Sequence, residues 1–472
     1  MIGSLTVVPL LTLADFERTA LDTLMEFGAI PSLSPQFDPA WAETGHLERA
    51  AQLLADWARR RPLAQHRVEI VRLPGRTPTL VVTVEATGPA RGTVVLYGHL
   101  DKQPPLGDWS AGLAPWSPVR RGDRIYARGV SDDGYAAFAA LSALEALEAA
   151  GKPHGRCVVL IEASEESGSP DLEAYLDHLA AHLGDVDLLI CLDSGAVSYD
   201  RLWVTTSLRG NVNVEVTVSV LSTGQHSGSV SGVVPSSFRV LRQLMDRLED
   251  ATTGRVLLDE LHAEIPAEHR EAARALAAEF GDVAAQDLPL LEGVELMGAD
   301  AQDRILNKTW RPTLSTIGMA GIPAPADAGN VLRPFTTATL SFRLPPTVAA
   351  AGALAAIERA LTADVPSGAH VTVTPQHPGD GWVAPTFAPW LREALQVASL
   401  DAFGQPLGFT GEGGSIPFLG SLARRYPGVQ FVATGVGGPG ANAHAVDEML
   451  DLPTAVGVAN AVTTVVAAHA AR

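Results

Sequence analysis

Hydrophobic positions fall into two textures along the chain. In the first, apolar runs at Thr93 to Tyr97, Cys157 to Glu162 and Leu188 to Leu192 read as buried strands, because a strand covered on both faces shows no alternation. Helical periodicity precedes them at Leu13 to Phe27 and His46 to Arg60, on either side of a loop holding Pro31, Pro35 and Pro39. Short β-type runs at Val68 to Leu73 and Thr79 to Val84, an Ala/Leu helix at Ala136 to Ala149 and a helix near Asp171 to Leu183 complete this part. The Trp-, Pro- and Gly-rich stretch Trp109 to Arg124 reads as a long ordered loop. Strand–helix–strand order with apolar strands predicts an α/β fold with a mostly parallel sheet and helices on both faces.

Near Leu208 the texture changes. Asn211 to Val220 alternates polar and apolar residues, placing Val212, Val214, Val216 and Val218 on one face. Helices at Ser236 to Leu248, Pro266 to Phe280 and Val348 to Leu361 follow, with further strands at Thr336 to Arg343 and Ala369 to Thr374. This pattern describes an α+β unit with one solvated sheet face. Buried-strand style returns at Val429 to Thr434, flanked by helices at Pro389 to Leu400 and Leu452 to Ala468. The chain therefore reads as a first domain (1–207 and 383–472) interrupted by an inserted one (208–382).

A length of 472 residues exceeds one ordinary core and agrees with two domains. The net charge of −19 argues against nucleic acid or an anionic membrane as partner and is compatible with holding divalent cations. Cys157 and Cys191 lie in apolar runs and read as buried free thiols rather than a disulfide, which suits a reducing compartment. The apolar stretch Leu5 to Leu11 lacks a basic flank and a small-residue cleavage site, and no apolar segment of transmembrane length is free of Gly, Pro and charge. A soluble, cytoplasmic protein is expected.

Candidate chemistry gathers where strands end. His99 and Asp101 follow the run Val94 to Tyr97 through Gly98, a spacing that suits a metal ligand and the group orienting it, or an ordinary strand-end contact. Asp132 and Asp133 precede a helix and could equally serve its first turn. Glu165 and Glu166 follow the strand at Cys157, where a solvated surface pair would be unusual, and Asp193 follows the next strand. His444 ends the glycine-rich loop after Val429 to Thr434. Parallel strands bring such ends to one sheet edge, and two imidazoles with several carboxylates suit a pair of divalent ions such as zinc or manganese. A dinuclear hydrolytic site is the physical reading.

His99-Leu-Asp101, Gly129-Val-Ser-Asp-Asp133, Glu165-Glu-Ser-Gly168, Leu192-Asp-Ser194 and Ala443-His444 together resemble the five-segment signature of the dinuclear metallopeptidases. These include carnosinases, cytosolic dipeptidases, aminoacylases and glutamate carboxypeptidases. His99-Leu-Asp-Lys-Gln-Pro-Pro105, Trp310-Arg-Pro-Thr-Leu314, Ser341-Phe-Arg-Leu-Pro345 and Glu412-Gly-Gly-Ser-Ile-Pro417 are similar to the carnosinase and non-specific dipeptidase branch. The resemblance implies a mostly parallel-sheet metallopeptidase catalytic domain with an inserted α+β lid and dimerisation domain.

It further implies that Asp132 bridges two metals, that His99 and Asp193 complete one site, and that Glu166 and His444 complete the other. Asp101 would orient His99, and Glu165 would be the general base; the residues alone do not decide between Glu165 and Glu166. A cis peptide between Asp132 and Asp133 belongs to the same pattern. His226, in Gln225-His-Ser-Gly228, would act in the partner subunit's site as an oxyanion stabiliser. Arg343 would bind the substrate carboxylate, with Asn330, Gly414 and Ser415 as further substrate contacts.

The chain departs from the family at Gly134-Tyr135, where Lys and Gly are usual, and in the loop after His226. The first puts a local helix-start contact in doubt; the second weakens the transfer of substrate preference. The activity expected is hydrolysis of dipeptides or short peptides by a dimeric enzyme. The alternatives are cleavage of N-acyl amino acids at the same site, or a non-catalytic binding protein on the same fold.

Overall fold

The computed structural model describes residues 11–88, 92–286, 288–414 and 417–472. Leu5 to Leu10 of the apolar N-terminal stretch, and Ser415, lie outside the described residues. The chain forms two compact units: Met1–Thr206 with Ala384–Thr410 and Ser421–Arg472, and Ser207–Val383 with Gly411–Gly420. The short Gly411–Gly420 segment carries no periodicity that would announce its return to the second unit. There, Gly413 accepts a hydrogen bond from Arg209 Nε at 3.1 Å.

In the larger unit the sheet runs, in spatial order, His66–Val71, Thr79–Val84, Arg156–Glu162, Thr93–His99, Val186–Cys191 and Gln430–Ala433, then the strand that begins at Trp203. The central pairings are parallel: Thr93–His99 with both Arg156–Glu162 and Val186–Cys191, and Val186–Cys191 with Gln430–Ala433. The outer pairings are antiparallel, so the sheet is mixed with a parallel centre. Every residue of Thr79–Val84 and Thr93–His99 is buried, as two covered faces require. On one face Val82, Val94, Leu96, Val159 and Ile190 join a single core with helices His46–Arg59, Ala136–Ala149 and Leu452–Ala471.

The helix Ala136–Ala149 explains why its sequence shows little amphipathic pattern: Ala136 through Leu144 are all buried. Its Phe138 ring meets Trp57 edge-on at 4.6 Å. Truncating a side chain such as Leu144 here costs about 2–5 kcal/mol. The helix Leu452–Ala471 is long and apolar enough to cross a membrane, but most of it is buried inside this unit. Cys157 and Cys191 are free and buried.

The second unit is an antiparallel sheet in the order Thr313–Ala320, Phe335–Leu344, Gly210–Ser219 and His370–Gly379. Gly210–Ser219 alternates buried and half-buried positions along its length. Its Val212, Val214, Val216 and Val218 join Ala338, Leu340 and Phe342 and the helices Ser237–Met245 and Ala350–Thr362 in a second core. The strand Thr313–Ala320 is not predicted by the hydrophobic pattern. It lies at the sheet's edge, no position on it is buried, and a register shift falls between Thr316 and Gly318, so it shows no clean period of two.

Candidate active site

The site grows from the end of the central strand Thr93–His99. Gly98 is required there: a Cβ would stand 2.5 Å from Ala136 Cβ and would also collide with the Asp133 carboxylate. Its absence lets the turn carrying Asp132 come down onto the strand end. His99 is 1% exposed. Its Nδ1 lies 3.0 Å from the Asp101 carbonyl oxygen, an acceptor only, so this nitrogen carries the proton. Nε2 is left to face Asp132 Oδ1 at 3.1 Å and Asp193 Oδ2 at 3.8 Å.

Asp132 has a second neighbour. Its Oδ2 lies 2.9 Å from His444 Nε2, and the same nitrogen is 3.1 Å from Glu166 Oε2. One carboxylate thus turns its two oxygens toward two imidazoles, and each imidazole faces one more carboxylate. Ligand atoms of His99, Asp132 and Glu166 lie within 4.8 Å of one another, as do those of His99, Glu165 and Asp193. The His99 side chain is closed off from solvent, whereas that of His444 is 53% exposed, so the cluster opens on the His444 side.

The backbone follows the chemistry. Asp132 and Asp133 do not serve as first-turn helix residues: Asp132 has non-helical backbone angles, and the α-helix starts at Ala136. The Asp132–Asp133 peptide bond is cis. Glu165 and Glu166 lie on a short 3-10 turn, Glu165–Ser167. The Asp101 carboxylate is fully buried and accepts the Glu165 N–H at 3.1 Å and the Glu166 N–H at 3.0 Å. It is farther from His99 Nδ1, at 3.5 Å, than its own backbone carbonyl is. Its strongest ties are therefore to the glutamate turn, with His99 held mainly through the main chain.

The electrostatics explain what the cluster needs. Burial works against charge on His99, yet Asp101 and Asp132 hold its pKa well above the ordinary histidine value. The same opposition, with Asp132 and Glu166 as the favourable partners, pushes His444 up to about 11. Asp132 stays below the carboxylate range despite burial because His444 and His99 face it. Burial raises Asp193 to about 7, and burial together with the Asp193 charge drives Glu165 well up. Several carboxylates thus compete for positive charge in a buried space. Mixed imidazole nitrogen and carboxylate oxygen donors fit divalent cations there.

Three contributors are not legible in the sequence as site residues. Gln103 donates from Nε2 to Glu166 Oε2 at 2.6 Å. Its only signal is membership of the stretch Lys102 to Pro105, which carries no chemical role of its own in the sequence. Glu162 accepts from the Tyr97 hydroxyl, from Ser164 Oγ at 3.1 Å and from Ser169 Oγ at 2.8 Å, clamping the start of the glutamate turn. A carboxylate ending so apolar a strand is its signal. Glu448 accepts from the backbone N–H groups of Gly129, Ser131 and Asp132 across more than 300 residues of sequence, which no local pattern reveals.

The remaining expected residues belong to the second unit. His226 is exposed and pairs with Val331 in a two-strand ribbon; the next residue, Ser227, donates to the Asn330 carbonyl at 2.9 Å, so His226 and Asn330 are neighbours. Arg343 is half-buried between Asn211 and Thr313, and burial lowers its guanidinium pKa. Gly414 is exposed. A groove of about 920 Å³ in this unit is lined by Arg209, Arg255, Lys308 and Arg311 among others, and by none of the expected site residues.

The chain resembles known proteins over most of their length. The chain is 28% identical over 436 residues to the cysteinylglycine-S-conjugate dipeptidase of Corynebacterium striatum, covering 90% of each chain. It is 26% identical over 391 residues to the Cys-Gly metallodipeptidase DUG1 of Saccharomyces cerevisiae, covering 80% of each. Among solved structures, the di-peptidase Dug1p from S. cerevisiae superposes with a TM-score of 0.80 at 21% identity, covering 98% of this chain and 97% of that one. Human carnosine dipeptidase 1 superposes at 0.78, also at 21% identity, covering 98% and 100%. These two structures establish a common fold. A family profile matches residues 95–468, from the strand that ends at His99 to beyond His444, and on that span the protein belongs to peptidase family M20/M25/M40.

Proposed function

We propose that the protein hydrolyses the amide bond of dipeptides or short peptides with a free C-terminus, using two divalent cations, zinc or manganese, per subunit. One observation carries the reading: the two oxygens of Asp132 face different imidazoles, and each imidazole faces a further carboxylate. In this reading Asp132 would serve both cations, with His99 and Asp193 to hold one and Glu166 and His444 to hold the other. The family and the relatives named as a dipeptidase and a metallodipeptidase support it.

When bound, the cations would lower the pKa of a water and draw charge from the scissile carbonyl. The chain's own groups do the rest. Glu165 takes the proton of the attacking water as its oxygen bonds to the carbonyl carbon, then delivers that proton to the nitrogen as the C–N bond breaks. The Glu165 carboxylate lies within 4.8 Å of ligand atoms of His99 and Asp193, within reach of a water held there, which supports this role. Glu166 is the better ligand candidate because His444 and Gln103 already engage its Oε2. Asp101 positions the two glutamates through their N–H groups.

In the inserted domain, proposed to span 208–382, Arg343 would take the substrate carboxylate, aided by Asn330 and, from beyond that span, by Gly414 and Ser415. His226 of the partner subunit would stabilise the oxyanion, which requires a homodimer through that domain. The solvent-facing Ile317 and Met319 on the edge strand Thr313–Ala320, 60% and 50% exposed, support such pairing. A cytoplasmic location is the accompanying proposal, and the two free thiols suit it.

The test is a panel of dipeptides and N-acyl amino acids assayed after chelation and re-addition of Zn²⁺ or Mn²⁺. The expected result is reversible, cation-dependent dipeptide turnover. Turnover confined to N-acyl amino acids would replace the substrate assignment, and full activity of the metal-free protein would end the two-cation reading.

A further inference from the structure

Beneath the His444 side of the cluster lies an ion pair that the chemistry above does not use. Glu448 is 0% exposed and Arg128 1%. Glu448 Oε2 accepts from Arg128 Nη1 at 2.8 Å and from Gly129 N–H at 2.7 Å. Its Oε1 accepts from Ser131 N–H at 3.0 Å, Ser131 Oγ at 2.9 Å and Asp132 N–H at 3.2 Å. On its other side Arg128 donates from Nη2 to the Ala445 carbonyl at 2.6 Å and from Nε to the Pro104 carbonyl at 3.1 Å. One buried pair thus ties the segment after His99, the turn bearing Asp132 and the loop bearing His444.

A buried ion pair is a poor route to stability, since desolvating both charges offsets most of their attraction. Here its donors and acceptors are spent on the main chain of two cluster-bearing segments. The backbone of the His444 loop needs such restraint. Asn442, His444 and Asp447 have φ of 54°, 58° and 60°, the left-handed region, which Asn, Asp and His enter more readily than other side chains but still at a cost that neighbouring contacts offset. Two ties hold the chain just after His444: the Ala445 carbonyl accepts from Arg128, and the Asp447 carboxylate accepts from Ser110 N–H at 2.9 Å. The other half of the cluster has no such need. His99 ends a buried strand paired on both sides, and Asp193 lies two residues past the end of the strand Val186–Cys191.

We propose that the Arg128–Glu448 pair is a positioning element for the half of the centre made by Asp132 Oδ2, Glu166 and His444, fixing Asp132 and His444 before a cation arrives. The sheet itself sets the His99–Asp193 half. This inference rests on the two-cation reading and, since Asp132 is shared, adds a stronger dependence of the His444 site than of the His99 site on two residues that touch no cation.

Mn²⁺ titration of the chelated full-length protein, followed by the electron paramagnetic resonance of free Mn²⁺, tests it. Circular dichroism confirms that each variant is folded at the working temperature. Wild type should bind in two steps, and His444→Ala identifies the step belonging to its half. Glu448→Gln should weaken that same step by roughly ten- to hundredfold, the usual effect of losing a group that orients ligands, and leave the other within about threefold. Arg128→Lys keeps the charge but loses the fork and should weaken the same step less. Should Glu448→Gln not fold, Ser131→Ala, which removes a single donor to Oε1, should still lower that step more than the other. Two unchanged steps in the folded variants, or both steps weakened equally, would overturn the positioning role. A wild type that binds only one Mn²⁺ would instead overturn the two-cation reading on which it rests.

Discussion

Replacing Asp101 by asparagine keeps the shape of a fully buried side chain while turning one of its two acceptors into a donor. Asp101 Oδ1 and Oδ2 each accept one N–H, from Glu165 at 3.1 Å and Glu166 at 3.0 Å, so no amide orientation satisfies both. A hydrogen bond to a charged group contributes about 1.5–3 kcal/mol, and leaving its buried partner unmade costs a similar amount. At about 2–4 °C per kcal/mol for a large domain, Asp101→Asn should lower Tm by roughly 3–12 °C. The larger consequence is at the site. A glutamate turn displaced by about 1 Å costs on the order of a hundredfold in rate. Dipeptide hydrolysis should be measured at increasing metal concentration alongside thermal unfolding of the metal-free protein. Excess cation should restore occupancy without restoring kcat, because the turn remains misplaced. Wild-type kcat together with an unchanged Tm would refute the assignment of Asp101 to the glutamate turn.

Glu165→Gln should retain both cations by metal analysis and lose about 10²–10⁴-fold in kcat; unchanged turnover would remove Glu165 as the base. Mixing His226→Ala subunits with Glu165→Ala subunits should restore one working site per hybrid dimer, and no recovery despite proven subunit exchange would count against a shared site. Lys102 is buried, donating to the Phe27 carbonyl at 2.8 Å and the Ile30 carbonyl at 2.9 Å, and burial depresses its pKa from 10.5 to about 7. Between those values the unfolded chain holds a proton that the folded protein lacks. The stability of the metal-free wild type relative to Lys102→Met should therefore rise with pH from about 7 to 10.5, by up to about 1.4 kcal/mol per unit, and stay level below 7. Denaturant titrations showing a flat difference across that range would refute it.

Much of the site is legible in the sequence because parallel central strands bring their ends together. The buried runs before His99, Glu165 and Asp193 are recognisable from composition, and neighbouring strands in the sheet do carry them. In the sequence Gly98 is only the link between the apolar run and His99; the structure uses it for close approach of the Asp132 turn, which only tertiary packing defines. Proximity in sequence pairs Asp101 with His99, while its two strongest hydrogen bonds go to residues 64 and 65 positions away. Glu448 and Arg128, 320 residues apart, meet only because the fold returns to its first sheet after the inserted unit. The strand Thr313–Ala320 is hidden for a different reason: with no buried position and a register shift, it has no hydrophobic face to read.

Of all the residues discussed, Asp132 bears the most weight, because the account requires each of its oxygens to serve a different cation. Crystals of the Zn²⁺-loaded enzyme, with anomalous diffraction collected on both sides of the zinc absorption edge, test this directly. Two peaks are predicted, one shared by His99, Asp132 and Asp193 and the other by Asp132, Glu166 and His444. A single peak, or two peaks that do not both contact Asp132, would contradict the account.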